Sequence, residues 1–155
     1  MQIRRAEVED CAAIADVLRE SFAEFRSLYT HGGFAATTPG AEQLQVRMSE
    51  GPVWVALHNG VIVGTVAAVK KGDSVYVRGM AVLPSARGLG AGARLLEQVE
   101  DWAAGENIAR IFLSTTPFLD SAICLYERSG YRRTSQEPND LFGTPLFTME
   151  KVIRK

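Results

Sequence analysis

Across 155 residues there are only two cysteines and two histidines, and 17 basic side chains are offset by 18 acidic ones to leave a net charge of −1. Each shortage removes a class of function. Cys11 and Cys124 stand far apart, each inside a predicted helix and without metal-ligand spacing, so no zinc or other metal site is expected and a reducing cytosol suits the chain. Both signs of charge are spread along the sequence. There is therefore no basic field for nucleic acid and no polybasic membrane anchor, and any attraction for a polyanion must be local. No apolar run approaches the ~20 residues needed to span a bilayer, and the opening Met1-Gln2-Ile3-Arg4-Arg5 lacks an apolar signal core. A soluble, cytoplasmic protein is expected, with neither a membrane nor a nucleic-acid partner.

What is present is enough for a core. The length and a hydrophobic content of 46% fit one domain over residues 1–155. Residues 2–6 read as a strand, and Asp10 is a candidate N-cap for a helix from 11 to about 25, with Ile14, Val17, Leu18, Phe22 and Phe25 on one stripe. Turn signals fill 26–40, and a short helix follows over about 41–49. The period then changes to that of strands, over 53–57 and 61–69, with Asn59-Gly60 between them as a hairpin signal because both residues tolerate positive φ. A third strand runs over 74–83. The helix beyond it turns Leu95, Leu96, Val99, Trp102 and Ala103 to one face and its acids outward, toward Gly105 as its stop. A strand over 110–114, a helix opening at Thr116-Pro117 and closing at Gly130, and two strands near 131–135 and 146–152 complete the chain. The last two are joined by a polar loop over 136–140.

The most informative stretch is Arg87-Gly88-Leu89-Gly90-Ala91-Gly92, between the third strand and the amphipathic helix. Without side chains in the way, backbone N–H groups at a helix start can point at a phosphate, and the helix dipole adds positive potential there. Arg87 can fork onto phosphate oxygens. A Walker loop is excluded, because five positions after Gly88 stands Ala93, followed by Arg94-Leu95. A dinucleotide fingerprint comes closer, since Gly88, Gly90 and Ala93 satisfy G-x-G-x-x-A. The strand after it, however, runs into Thr115-Thr116-Pro117 with no carboxylate for a ribose.

Val82-Leu83-Pro84-Ser85-Ala86-Arg87-Gly88-Leu89-Gly90-Ala91-Gly92 resembles the V-x-P-x-x-R/Q-G-x-G-x-G/A signature of the GNAT superfamily, the acyl-CoA-dependent N-acyltransferases. Ala122-Ile123-Cys124-Leu125-Tyr126-Glu127-Arg128-Ser129-Gly130-Tyr131 resembles the family's A-I-x-L-Y-x-x-x-G-F/Y block, in the expected order. The resemblance covers nearly the whole chain and is sharpest over 75–131. It implies an α/β (α+β) fold with a mixed, mostly antiparallel sheet of six to seven strands, about four flanking helices and a splayed central strand pair.

That likeness also implies roles. The pantetheine arm of acetyl-CoA would add beside Met80, Ala81 and Val82, and the diphosphate would sit on Arg87, Gly88, Leu89, Gly90, Ala91, Gly92 and Ala93. Tyr126 would donate a hydrogen bond or proton to the departing thiolate, although its place on the Leu119, Ala122, Ile123 stripe also suits a core tyrosine. Two departures stand out. The strand before the loop, Val75-Tyr76-Val77-Arg78-Gly79-Met80, lacks the acid that many relatives use as a base, which leaves a water chain or an acid such as Glu24 or Asp120. Leu119 replaces an asparagine, removing one hydrogen bond to the cofactor. Tyr29 and His31 fall where the fold walls the acceptor site, His58 reads as a turn residue and Cys124 as an inert helix cysteine. The expected reaction is direct transfer of acetyl to a primary amine, with a small molecule as acceptor. Its rival is an acyl-CoA-binding module without turnover. The family's habits allow a homodimer, and the sequence adds no sign of its own.

Overall fold

The computed structural model describes residues 1–135 and 138–153. In chain order these form β1 (Gln2–Arg5), α1 (Cys11–Phe22), α2 (His31–Thr37), α3 (Ala41–Glu50), β2 (Val53–His58), β3 (Val61–Lys71), β4 (Ser74–Val82), α4 (Ala91–Gly105), β5 (Arg110–Thr115), α5 (Asp120–Arg128), β6 (Arg132–Arg133), β7 (Asn139–Leu141) and β8 (Thr144–Val152). Seven strands make one sheet in the order β1-β2-β3-β4-β5-β8-β6, and β7 pairs on β8. Every pairing is antiparallel except β4 with β5. Asn59 (φ 52°) and Gly60 (φ 79°) make the β2–β3 turn, as their tolerance of positive φ predicts.

The sheet divides the core in two. Strand alternation sends Val53 and Val55 toward Ile14, Val17, Leu18 and Leu44 of α1 and α3, while Trp54 and Ala56 face Leu95, Leu96, Val99 and Ala103 of α4. The stripe expected on α4 is thus the buried one. Trp102 is its half-buried edge, packing edge-on against Trp54 with ring centroids 6.0 Å apart.

The feature that shapes the site is a break in pairing. β4 and β5 run in parallel register only from Ser74↔Arg110 to Val77↔Leu113. On its other side β4 carries an extra residue, because Ala67 faces Arg78 while Thr65 faces Ala81. Gly79 sits in this bulge at φ +62°, a conformation L side chains rarely adopt. A bulge bends its strand, and here it swings residues 78–82 away from β5 to open a cleft.

Several expected boundaries move. The stretch 26–40 is not all loop: a 3-10 turn over Ala23–Leu28 follows α1, and α2 is capped by Thr30, whose hydroxyl accepts the Gly33 N–H at 2.9 Å. A Thr cap three residues before its partner was readable as a helix start, but the pair of glycines at 32 and 33 masked it. Asp10 is the N-cap residue of α1, as expected, but its side chain makes no capping bond. Its carboxylate accepts from Arg4 Nη1 and from the Glu7 N–H, both at 2.8 Å. The Thr116-Pro117 stretch is a turn, and α5 starts at Asp120. In the expected polar loop, Asn139–Leu141 forms β7; positions 136 and 137 lie outside the described residues. Among the described residues no helix is long and apolar enough to cross a membrane.

Candidate active site

The splay opens into a cleft of about 1030 Å³, walled by β4, the start of α4, the end of β5, α5, and the segments around Phe22, Tyr29 and Leu146. That exceeds what one small ligand fills, and suits two reactants meeting in one space.

At one end lies the glycine turn. Gly88 (φ 87°) and Gly90 (φ 82°) hold left-handed backbone, and a Cβ on either would meet no protein atom within 4 Å, so the space above them is open. Gly90 is the N-cap of α4 and supplies no side-chain cap; the first turn carries no acid. Arg94 N–H is bonded to Gly90 O at 3.2 Å. The three N–H groups before it, on Ala91, Gly92 and Ala93, precede the helix's own bonding pattern and face the positive end of the dipole. Gly92 has a second duty, since a Cβ there would fall 2.6 Å from Leu125 Cδ2, so the glycine leaves room for that side chain of α5. Leu89 is exposed and is not among the lining residues. Arg87 reaches across the mouth to Glu24, Nη2 to Oε1 at 2.6 Å.

Along the middle, β4 offers backbone. Leu83 N–H is bonded to Val63 O at 2.8 Å, so by strand alternation Val82, and Met80 two residues earlier, turn their polar groups the other way, into the opening beyond the last β4–β5 pair. Such groups are costly to leave without partners.

Tyr126 lies opposite, on α5. Its helix ends in a Schellman closure: Tyr131 N–H to Tyr126 O at 2.9 Å and Gly130 N–H to Glu127 O at 3.1 Å, with Gly130 at φ +96°. This closure brings Tyr131 back against Tyr126, ring centroids 6.2 Å apart. Tyr126 is only 6% exposed yet lines the cleft, so its ring belongs to the core and the residue borders the reaction space. Burial, aided by the nearby Tyr29 and Tyr76, pushes its phenol far above the usual range and keeps it protonated.

The acetyltransferase (GNAT) family model matches residues 14–131. The chain belongs to this family. Its sequence is 33% identical over 135 residues to YjgM of Escherichia coli (strain K12), described as an uncharacterized N-acetyltransferase, covering 83% of this chain and 80% of that protein. It is 32% identical over 140 residues to YhfO of Bacillus subtilis (strain 168), of the same description, covering 84% and 89%. The fold matches that of the PaiA N-acetyltransferase of Thermoplasma acidophilum, solved in complex with coenzyme A, at a TM-score of 0.83 and 17% identity over 97% of this chain and 98% of that one.

For a GNAT protein the acceptor end departs from the sequence expectation. Tyr29 lines the cleft, as Phe25 does, and burial raises its phenol above the ordinary range. His31 does not; it borders a separate surface depression. His58 ends β2 in solvent and Cys124 is exposed on α5. Neither acid offered as a base reaches the cleft: Glu24 is tied to Arg87 and Asp120 is not a lining residue. Glu97 and Glu100, expected to be a solvated face, do line it, and Glu100 is paired with Lys151 at 2.8 Å. Sequence reasoning missed Ser21, Arg47, Tyr76 and Arg78 as lining residues. Alternation along β4 could have found the last two, since Tyr76 and Arg78 share one face of the strand that lacks an acid, ahead of the bulge.

Proposed function

We propose that this GNAT protein transfers acetyl from acetyl-CoA directly to the primary amine of a small molecule, both bound together in the cleft. The carrying observation is that free first-turn N–H groups, unpaired strand backbone and a protonated buried phenol border one space. The glycine turn and the start of α4, residues 88–93, hold the diphosphate with Arg87 once it leaves Glu24, and Met80 and Val82 pair with the pantetheine amides. These residues fit that ligand: the space over Gly88 and Gly90 is open and their φ values suit glycine. The amine nitrogen attacks the thioester carbon, the C–N bond forms and the C–S bond breaks. The Tyr126 proton goes to the thiolate sulfur, and is replaced from solvent. The proton shed by the ammonium, and the second one lost from nitrogen as the amide forms, pass to water, because no carboxylate lines the acceptor end among the described residues. The reading takes the chain as one catalytic domain working in the cytoplasm, in keeping with its two free cysteines.

The same missing carboxylate favours one rival, an acyl-CoA-binding module without turnover. Calorimetric titration of acetyl-CoA, run beside a thiol-release assay over a panel of amines, separates the two. Binding with amine-dependent release is expected; tight binding with no release from any amine would favour the module, and no binding would remove both.

A further inference from the structure

Among the described residues, the acceptor end of the cleft is lined by two positive charges and no negative one. Arg47 of α3 and Arg78 of β4 both line it, and the lining acids, Glu97 and Glu100, belong to α4 at the other end. The Arg47 guanidinium lies over the bulge: a Cβ placed on Gly79 would sit 3.4 Å from its Nη1, so the glycine leaves room for it. Arg78 spends Nη2 on Glu50, which stands outside the cleft, while its Nε is buried with no partner. No ion pair or hydrogen bond is made by the Arg47 side chain among the described residues. Burial, and then the charge of Arg78, hold the Arg47 guanidinium below its ordinary value, opposed only by weaker influences from Tyr76 and Glu50.

Two half-buried guanidinium groups beside each other in a cleft repel unless an anion lies between them. The donors left include the Arg47 fork and the buried Nε of Arg78. That set suits a planar monoanion, since a guanidinium fork matches the two oxygens of a carboxylate. Aromatic side chains, Phe25, Tyr29 and Tyr76, also line this cleft. Tyr76 stands two residues before Arg78 on the same face of β4, and both line the cleft together with Tyr126.

We propose that the acceptor is an amine that carries its own carboxylate, an amino acid, with the carboxylate held by Arg47 and the Nε of Arg78 and the amine directed past Tyr76 toward the thioester. This rests on the acetyltransfer reading above, and it excludes polycationic acceptors such as polyamines.

The test uses matched probes with the full chain: phenylalanine against 2-phenylethylamine and leucine against 3-methylbutylamine, with spermidine and O-phosphoethanolamine as controls. In thiol release, the carboxylate-bearing member of a pair should have a kcat/KM about 10- to 100-fold higher, the scale of a charge-assisted hydrogen bond. Arg47→Gln should bring that ratio within about threefold of unity, and Arg47→Lys should restore part of it. Independently of turnover, N-acetylleucine should bind the CoA-saturated protein at least tenfold more tightly than N-(3-methylbutyl)acetamide, and R47Q should erase the difference. If no amine reacts but this binding preference and its loss are seen, the carboxylate site stands and the catalytic reading falls. Equal binding of the two amides, a preference for spermidine or O-phosphoethanolamine, or an R47Q protein that keeps the wild-type preference would overturn the proposal.

Discussion

The two ends of the cleft are built on opposite principles. The coenzyme end is backbone: glycines in left-handed turns, the uncapped start of α4 and the strand that the bulge pulls away from β5. It comes from one run of chain between positions 79 and 93. The acceptor end is side chains, gathered from Phe25 after α1, Tyr29 before α2, Arg47 on α3, Tyr76 and Arg78 on β4, and Leu146 on β8. A ligand shared across a family can be met by main chain, which every sequence supplies once glycine permits the geometry. A ligand particular to one member must be met by side chains, which can change without disturbing the sheet.

If that division is right, damage to one end should leave the other's ligand largely untouched. The largest effect should come from Gly90→Val. At φ 82° and ψ 8° a β-branched residue is strained by about 1–3 kcal/mol, and relieving the strain turns the first N–H groups of α4 away from the opening. Acetyl-CoA affinity should fall by about 100-fold in calorimetry, roughly the cost of several charge-assisted hydrogen bonds weakened together. Affinity within threefold of wild type would show that the diphosphate sits elsewhere.

Tyr126 stands between the ends and should respond differently from both. Tyr126→Phe keeps the buried ring and removes the donor, so kcat should drop by about 100-fold while acetyl-CoA affinity stays within a factor of two. Because burial raises the phenol's pKa, its protonated form persists as pH rises, and loss of this donor should produce no falling limb in the rate profile below about pH 10. An unchanged kcat in Y126F would leave Tyr126 as a core residue alone.

The same division explains what could be read in the sequence. The glycine turn, the hairpin at Asn59-Gly60 and the stop at Gly130 were legible because each is a local demand for positive φ. The stripes of α1 and α4 were legible because burial on a sheet imposes their period. Even so, the stripe does not show that Phe22, which packs on the α1 core, and Phe25 also line the cleft, since periodicity cannot tell a protein-filled face from a ligand-filled one. Arg47 was invisible for a different reason. Nothing in residues 41–50 says that the helix will lie over Gly79, a contact made across 32 positions of chain and dependent on a bulge in a strand not yet formed. The existence of α2 and β7 was missed because bonds that fix them are also distant: Thr30 N–H reaches Thr144, 114 positions away.

That distant link gives the smallest of the expected effects and the sharpest separation of the two ends. Thr144 is 1% exposed, and its Oγ1 accepts the Thr30 N–H at 2.9 Å. The Thr30 hydroxyl donates to Phe142 O at 2.8 Å and accepts the Gly33 N–H, so the 3.0 Å contact between the two hydroxyls must have Thr144 as donor. The network ties α2 to the turn between β7 and β8, fixing the wall that carries Tyr29 and Leu146. Thr144→Val keeps the shape but leaves the Thr30 N–H unanswered, which should cost about 1–2 kcal/mol and lower Tm by ~2–6 °C for a chain of this size. The acceptor KM should rise a few-fold as the wall loosens, while acetyl-CoA affinity holds, because no element of the glycine turn takes part in the network. Equal losses at both ends would mean that the cleft responds as one body, and the contrast between a backbone half and a side-chain half would then be one of composition without independence.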